Sequence, residues 1–146
     1  MEGSSQLIIA GSLSFIAAIL HIGIIVGGPD WYRFFGAGES MAQSAASGNL
    51  QPTFITLGIA ALLPLWGLYA LSGAGVIGPL PLLKIGLGLI TGVYLLRGIA
   101  GLTLPFVSKH PAITQNSITF WVVSSIICCV FGVFHLLGII NRWEHF

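Results

Sequence analysis

The chain has 146 residues, of which 55% are hydrophobic and only 6% charged, with five Lys+Arg against four Asp+Glu. A soluble domain carries about 25% charged residues, and disorder needs low hydrophobicity and many charges, so both classes are excluded. Two Cys exclude a disulfide scaffold, and a net charge of +1 offers nucleic acid no basic patch. What remains is an integral membrane protein, as the mean hydropathy of +0.98 also states.

A helical span needs about 20 predominantly apolar residues. The first qualifying run covers about 6–28 and ends at Gly27-Gly28-Pro29. Its leader, Met1 to Gln6, carries Glu2 and no Lys or Arg, unlike the basic start of a signal peptide, so the span is expected to stay in the mature protein.

Residues 30–47 are the most distinctive stretch. Asp30 follows Pro29 and suits a helix N-cap. Trp31, Phe34, Phe35, Gly38, Met41, Ala42 and Ala45 fall on one helical stripe, with Arg33 and Ser40 opposite. Gly48-Asn49 is the stop. The pattern predicts one amphipathic helix at the membrane surface. Glu39 borders the buried stripe, either as a solvated anchor or as the polar face of a lid.

The second span covers 53–72 and opens on Gln51-Pro52, with Pro64 inside it as an expected kink. Gly73-Ala74-Gly75 closes it, and Gly78-Pro79-Leu80-Pro81 opens the third, 80–104. Pro105 and Pro111 bracket a short loop before the fourth, 118–140. The fold expected is all-α: a single membrane domain over 1–146, a four-helix transmembrane bundle with an interfacial helix between spans one and two. Strand barrels alternate apolar and polar residues, which these runs do not. Lys84 and Arg142 fall on the side of the termini, Arg33 and Lys109 on the loop side, so the positive-inside rule is tied.

Ionisable groups within spans need a partner or a cavity. His21 lies ~6 Å and Arg97 ~8 Å toward the loop side of their span centres, which places them in one layer. Tyr32, Glu39, Gln51, Thr53 and Thr56 are placed to close that layer, and Tyr94 lies one turn before Arg97. His21, Glu39 and Arg97 are therefore the candidate catalytic residues. The same three with Tyr32 and Tyr94 are the candidate ligand-binding set. Arg97 either snorkels, pairs with Glu39, or holds a phosphate or carboxylate headgroup. His21 is more simply a core His bonded to a backbone carbonyl. His135 lies ~9 Å toward the terminal side, level with Ser12, Ser14 and Tyr69, and about 15 Å from His21 along the membrane normal. That separation argues against a shared haem or metal, so no metal site is expected and no cofactor is implied.

Cys128 and Cys129 diverge on a helix and support no disulfide, and no HExxH, GxSxG or P-loop pattern occurs. Gly88-x-x-x-Gly92, with Gly86, Gly98 and Gly101, makes the third span a close-packing helix, within the chain or between subunits. Trp31, Trp66, Trp121 and Trp143 suit an aromatic belt.

The run Trp31-Tyr32-Arg33-Phe34-Phe35-Gly36-Ala37-Gly38-Glu39, then Tyr94-Leu95-Leu96-Arg97-Gly98, then His135, resembles small bacterial four-span membrane proteins, and the layout is similar to DoxX-like proteins. The resemblance implies a multi-pass protein of the bacterial inner membrane. Its expected partners are membrane lipids, other membrane subunits or further copies of itself. The resemblance implies no settled activity, and three function classes compete. The favoured one is a non-enzymatic accessory or stabilising subunit of a membrane complex. The second is a small-molecule or lipid carrier, with a cavity reaching Arg97 and His21. The third is a lipid-modifying enzyme, with Arg97 holding an anionic headgroup, His21 as base and Glu39 orienting it.

Overall fold

The computed structural model describes residues 2–146; Met1, the first residue of the leader, lies outside them. The helices are α1 (Glu2–Gly27), α2 (Pro29–Phe34), α3 (Glu39–Ala46), α4 (Gln51–Gly73), α5 (Leu83–Val107), α6 (Pro111–Thr114) and α7 (Ile118–Arg142), followed by a 3₁₀ turn, Trp143–His145. Among the described residues there is no strand. α1, α4, α5 and α7 are the four helices long and apolar enough to cross a membrane. They run 23 to 26 residues, or roughly 35–39 Å at 1.5 Å per residue, against a hydrocarbon core of about 30 Å.

Outward positions carry large apolar side chains such as Ile19, Phe54, Leu96 and Ile140. Where helices cross most closely the inward positions are small, because without a hydrophobic force between helices close backbone approach must supply the dispersion energy. Gly11 of α1 faces Gly67 of α4, and a Cβ on either would crowd the other's carbonyl. Gly98 and Gly101 of α5 press on Cys129 and Ser125 of α7, and Gly132 of α7 presses back on Leu95. Gly138 of α7 receives Leu7 of α1. Contacts are dense between α1 and α4, between α5 and α7, and between α1 and α7. Those between α4 and α5 are sparse, and the backbones of α1 and α5 do not approach closely, so these two lie on a diagonal.

Tyr94 fills that diagonal. Its ring meets Trp66 of α4 at 5.1 Å and Phe131 of α7 at 5.3 Å, both edge-on. Its hydroxyl lies 2.9 Å from the Ser14 hydroxyl of α1. One side chain thus touches all three other spans, at the centre of a cluster with Ala18, Leu63, Ile90 and Phe131. Trp66 is accordingly a core residue rather than a member of an interfacial belt.

Several sequence expectations are corrected at the loops. The segment 30–47 forms two helices, not one. Gly36 (φ 78°) ends α2 in a left-handed turn, with the Ala37 amide donating to the Tyr32 carbonyl and the Gly36 amide to the Arg33 carbonyl. A Cβ at Gly36 would enter the Phe120 ring of α7, so the break is also where the segment docks on the bundle. The break resets the buried face. Tyr32 is buried at 2% exposure, whereas Trp31 and Phe34 are 44% and 83% exposed. Tyr32 and Ala42 pack with Ile24 of α1, beside Phe35, Ala37, Met41 and Ala45. Asp30 is not the cap, because Gly28 precedes Pro29 at the first helical position. Pro105 lies inside α5, which runs two residues further. α5 also starts later than expected, after Leu82 in a left-handed conformation (φ 54°). The Gly48 stop of α3 is as expected.

Candidate functional site

The structure distributes the candidate residues over three local sets. The first is on the loop-side surface. Arg33 holds Glu39 in a two-pronged contact, Nε to Oε2 at 2.9 Å and Nη2 to Oε1 at 3.0 Å. Arg33 Nη1 also donates to Asp30 at 3.2 Å, and Gln43 Nε2 to Glu39 at 3.3 Å. The fork holds the Glu39 carboxyl below the ordinary glutamate range and raises the Arg33 guanidinium in turn. Arg33, which the single-helix reading put on the far side, reaches Glu39 because the Gly36–Gly38 turn folds α3 back toward α2.

The second set is Tyr32 and Thr56. The Thr56 hydroxyl donates to the Pro52 carbonyl at 2.8 Å and makes a longer contact, 3.3 Å, with the Tyr32 hydroxyl. These two were expected in one loop-side layer, and they meet there. His21, on α1, is half-buried and engages its own helix, with Nδ1 2.6 Å from the Ala17 carbonyl.

The third set surrounds Arg97. Its Nη1 donates to Ser125 Oγ at 3.0 Å and its Nη2 to Ser124 Oγ at 3.1 Å, both on α7. The guanidinium carbon stands 4.9 Å from the centre of the Trp121 ring. Trp121 is itself fixed by an Nε1 bond to the Ile113 carbonyl at 2.9 Å. The guanidinium reaches one turn up α5, since a Cβ at Gly101 would collide with Nη1 and Ser125.

The expected pairing of Arg97 with Glu39 or His21 is therefore replaced by a contact with α7. The reason is azimuth: His21 and Arg97 lie on diagonal helices, and the guanidinium, although it reaches the level of Gly101 and so nearly the depth of His21, turns toward α7. Tyr94, one turn before Arg97, points into the bundle axis rather than to the guanidinium. Nor do two surface hollows, one along Ile139–His145 and one along Ile126–Phe134, include any of the five candidates.

His135 was left out of the candidate set, yet it is fully buried. Nδ1 lies 2.8 Å from the Phe131 carbonyl, which can only accept, so Nδ1 carries a proton. Nε2 has no hydrogen-bond partner among the described residues. The ring lies 5.3 Å from that of Tyr94. The sequence signal was present: Ser14 was read at the same depth as His135, and Ser14 is the residue that holds Tyr94.

Among the described residues no group of three His, Cys, Asp or Glu side chains is placed to hold a metal ion. Comparison of the chain with protein-family models, with curated proteins and with solved structures finds no match. Geometry alone therefore carries the functional reading.

Proposed function

We propose that the protein is a non-enzymatic accessory subunit of a membrane complex, binding a partner transmembrane helix through the outer face of α5. The observation that carries this reading is the Gly88-x-x-x-Gly92 pair. Both glycines point away from the bundle, and a Cβ at either meets nothing within 4 Å. Ile85, Leu89 and Leu96 flank them, all exposed. Inside the chain every close-packed glycine named above has a neighbour; these two make the same kind of groove with none. A helix laid into it gains backbone approach that lipid tails do not supply. The four-span DoxX-like layout and a place in the bacterial inner membrane are part of this proposal, supported by span number and by the resemblance of the sequence. The carrier and enzyme readings receive less support, because His21, Glu39 and Arg97 serve separate local contacts.

The test is a Gly88→Leu/Gly92→Leu variant, examined by co-purification in mild detergent and by energy transfer in bilayers. Association is expected to fall at least ~tenfold, since loss of close packing on this scale costs over 1.4 kcal/mol. The monomer should melt no lower, because leaving out two mid-helix glycines favours the helix. A wild-type chain that purifies alone, with no self-association in bilayers, sinks the reading.

A further inference from the structure

We propose that Arg97, with Ser124 and Trp121, forms an anion site that takes the phosphate group of a membrane lipid between α5 and α7. The argument begins with charge. The chain has four acidic side chains: Glu2, Asp30, Glu39 and Glu144. Asp30 and Glu39 both serve Arg33. Glu2 and Glu144 belong to the other end of the bundle, at the start of α1 and beyond α7. That end lies ~27 Å from the level of Gly101, where the Arg97 guanidinium sits. A guanidinium is a permanent charge, and Arg97 has no ion-pair partner among the described residues. A lone charge in hydrocarbon is costly, so a counter-ion beside it is favoured.

The immediate surroundings are built for a cation but do not neutralise it. Two of the five guanidinium N–H groups go to serine hydroxyls. The other three have no acceptor among the described residues. The Trp121 ring holds the plane from one side. The Ser124 proton makes only a 3.4 Å contact with the Trp121 carbonyl, so it is free to turn toward an incoming oxygen. Gly101 leaves the slot in which Nη1 lies. Arg97 is half-buried at the flank of the bundle, where a ligand can arrive from the bilayer without opening the helices.

Depth fits a headgroup. The guanidinium lies about six residues, or ~9 Å, below the loop-side ends of both α5 and α7. Those helices exceed the hydrocarbon thickness by roughly 7 Å, half of it on each side. The charge is thus ~5 Å inside the hydrocarbon boundary, a depth that local thinning of the bilayer reaches. A phosphate there accepts two parallel N–H bonds from the guanidinium edge. This site is independent of the Gly88/Gly92 face, whose middle lies about 160° around α5, at roughly 100° per residue.

The test uses the full chain, purified in nonionic detergent and stripped of lipid. Native mass spectrometry follows its titration with short-chain phosphatidylglycerol, short-chain phosphatidylcholine and inorganic phosphate. One phosphatidylglycerol should bind in preference to phosphatidylcholine, and millimolar inorganic phosphate should not displace it. Arg97→Gln should weaken that binding at least ~tenfold, and Arg97→Lys less, because an ammonium keeps the charge but not the fork. Ser124→Ala removes a single hydroxyl and should weaken it several-fold, which decides the matter if Arg97→Gln does not fold. Unchanged lipid binding in Arg97→Gln, or in Ser124→Ala where Arg97→Gln fails, overturns the proposal. Displacement by inorganic phosphate overturns the lipid as its source. Failure of every anion to bind, while a second polypeptide stays attached through an acidic residue cross-linked beside Arg97, overturns it in favour of a protein partner.

Discussion

The two ends of the bundle each hold a part-buried arginine, and they use it differently. At the terminal end, Arg142 of α7 donates through Nε to the Gly73 carbonyl at 2.7 Å and through Nη1 to Ser4 Oγ at 2.7 Å. Ser4 passes its own proton to the Ala74 carbonyl at 3.0 Å, and Asn141 donates to Gln6 at 2.9 Å. Three spans are tied by one side chain, and a cation sits on the carbonyl end of α4, where the helix dipole is negative. At the loop end, Arg97 joins only α5 to α7, through hydroxyls and an aromatic face. Each arginine makes two bonds, but those of Arg142 reach a backbone carbonyl and a hydroxyl on two other spans, whereas those of Arg97 reach only hydroxyls of one neighbouring helix. Two residues of one type, both near the membrane boundary, thus separate into a structural tie and a candidate binding group by the kind of acceptor each one meets.

The largest expected effect tests whether the ends are independent. Tyr94→Ala removes the ring between them and should cost about 3–5 kcal/mol, the range for losing a buried aromatic. Chemical unfolding from detergent micelles would measure it. Loss of one end before the other, instead of a single transition, would show that Tyr94 does not couple them. Next comes the direct contrast. Arg142→Ala strands the Gly73 carbonyl, takes the donor away from Ser4 Oγ, and should cost about 1.5–3 kcal/mol, the range for a hydrogen bond to a charged group. Arg97→Leu, in detergent without lipid, should stay within about 1 kcal/mol of the parent. Two bonds to neutral hydroxyls are lost, while the cost of an uncompensated charge disappears. Equal losses in the two variants would erase the distinction between the ends. The smallest effect is confined to the loop-side surface. The Glu39 carboxyl is held low by Arg33, so the pair is intact above the ordinary glutamate value of about 4.3 and opens as pH falls through the lowered one. Amide exchange in α2 and α3 should quicken over that acid range, and Glu39→Gln should remove the step. Spread of the quickening into α4 or α7 would mean that the surface pair also supports the bundle.

The spans were legible because a membrane imposes length directly. All four fall within a few residues of the apolar runs. The largest shift, at the start of α1, arises because Ser4 and Gln6 are polar yet have partners on α4 and α7. The loop helix was half legible. Its stop at Gly48 is local chemistry, but the break at Gly36 depends on Phe120, more than eighty positions away, and a stripe of spaced residues counts Gly38 as a member without seeing it as a cap. The site was misread for one physical reason. Rise per residue gives depth, but the azimuth of a helix in a bundle comes from its neighbours. Depth alone set Arg97 beside His21. The outward pair Gly88 and Gly92 would have fixed the azimuth of α5, turning Arg97 toward one flank, and Trp121 with Ser124-Ser125 was the polar stripe on α7 waiting at that flank.

The dense pairing of α1 with α4 and of α5 with α7 bears on how the chain enters the membrane. The first hairpin has an interface of its own, Gly11 against Gly67, which needs nothing from the second. It also carries Ser14 and Trp66, two of the surfaces that receive Tyr94 of the second hairpin. The second hairpin then meets a prepared socket rather than two separate helices. This pairing favours an assembly in which two hairpins dock as halves, with the tyrosine as the register mark that sets how deep the second half sits.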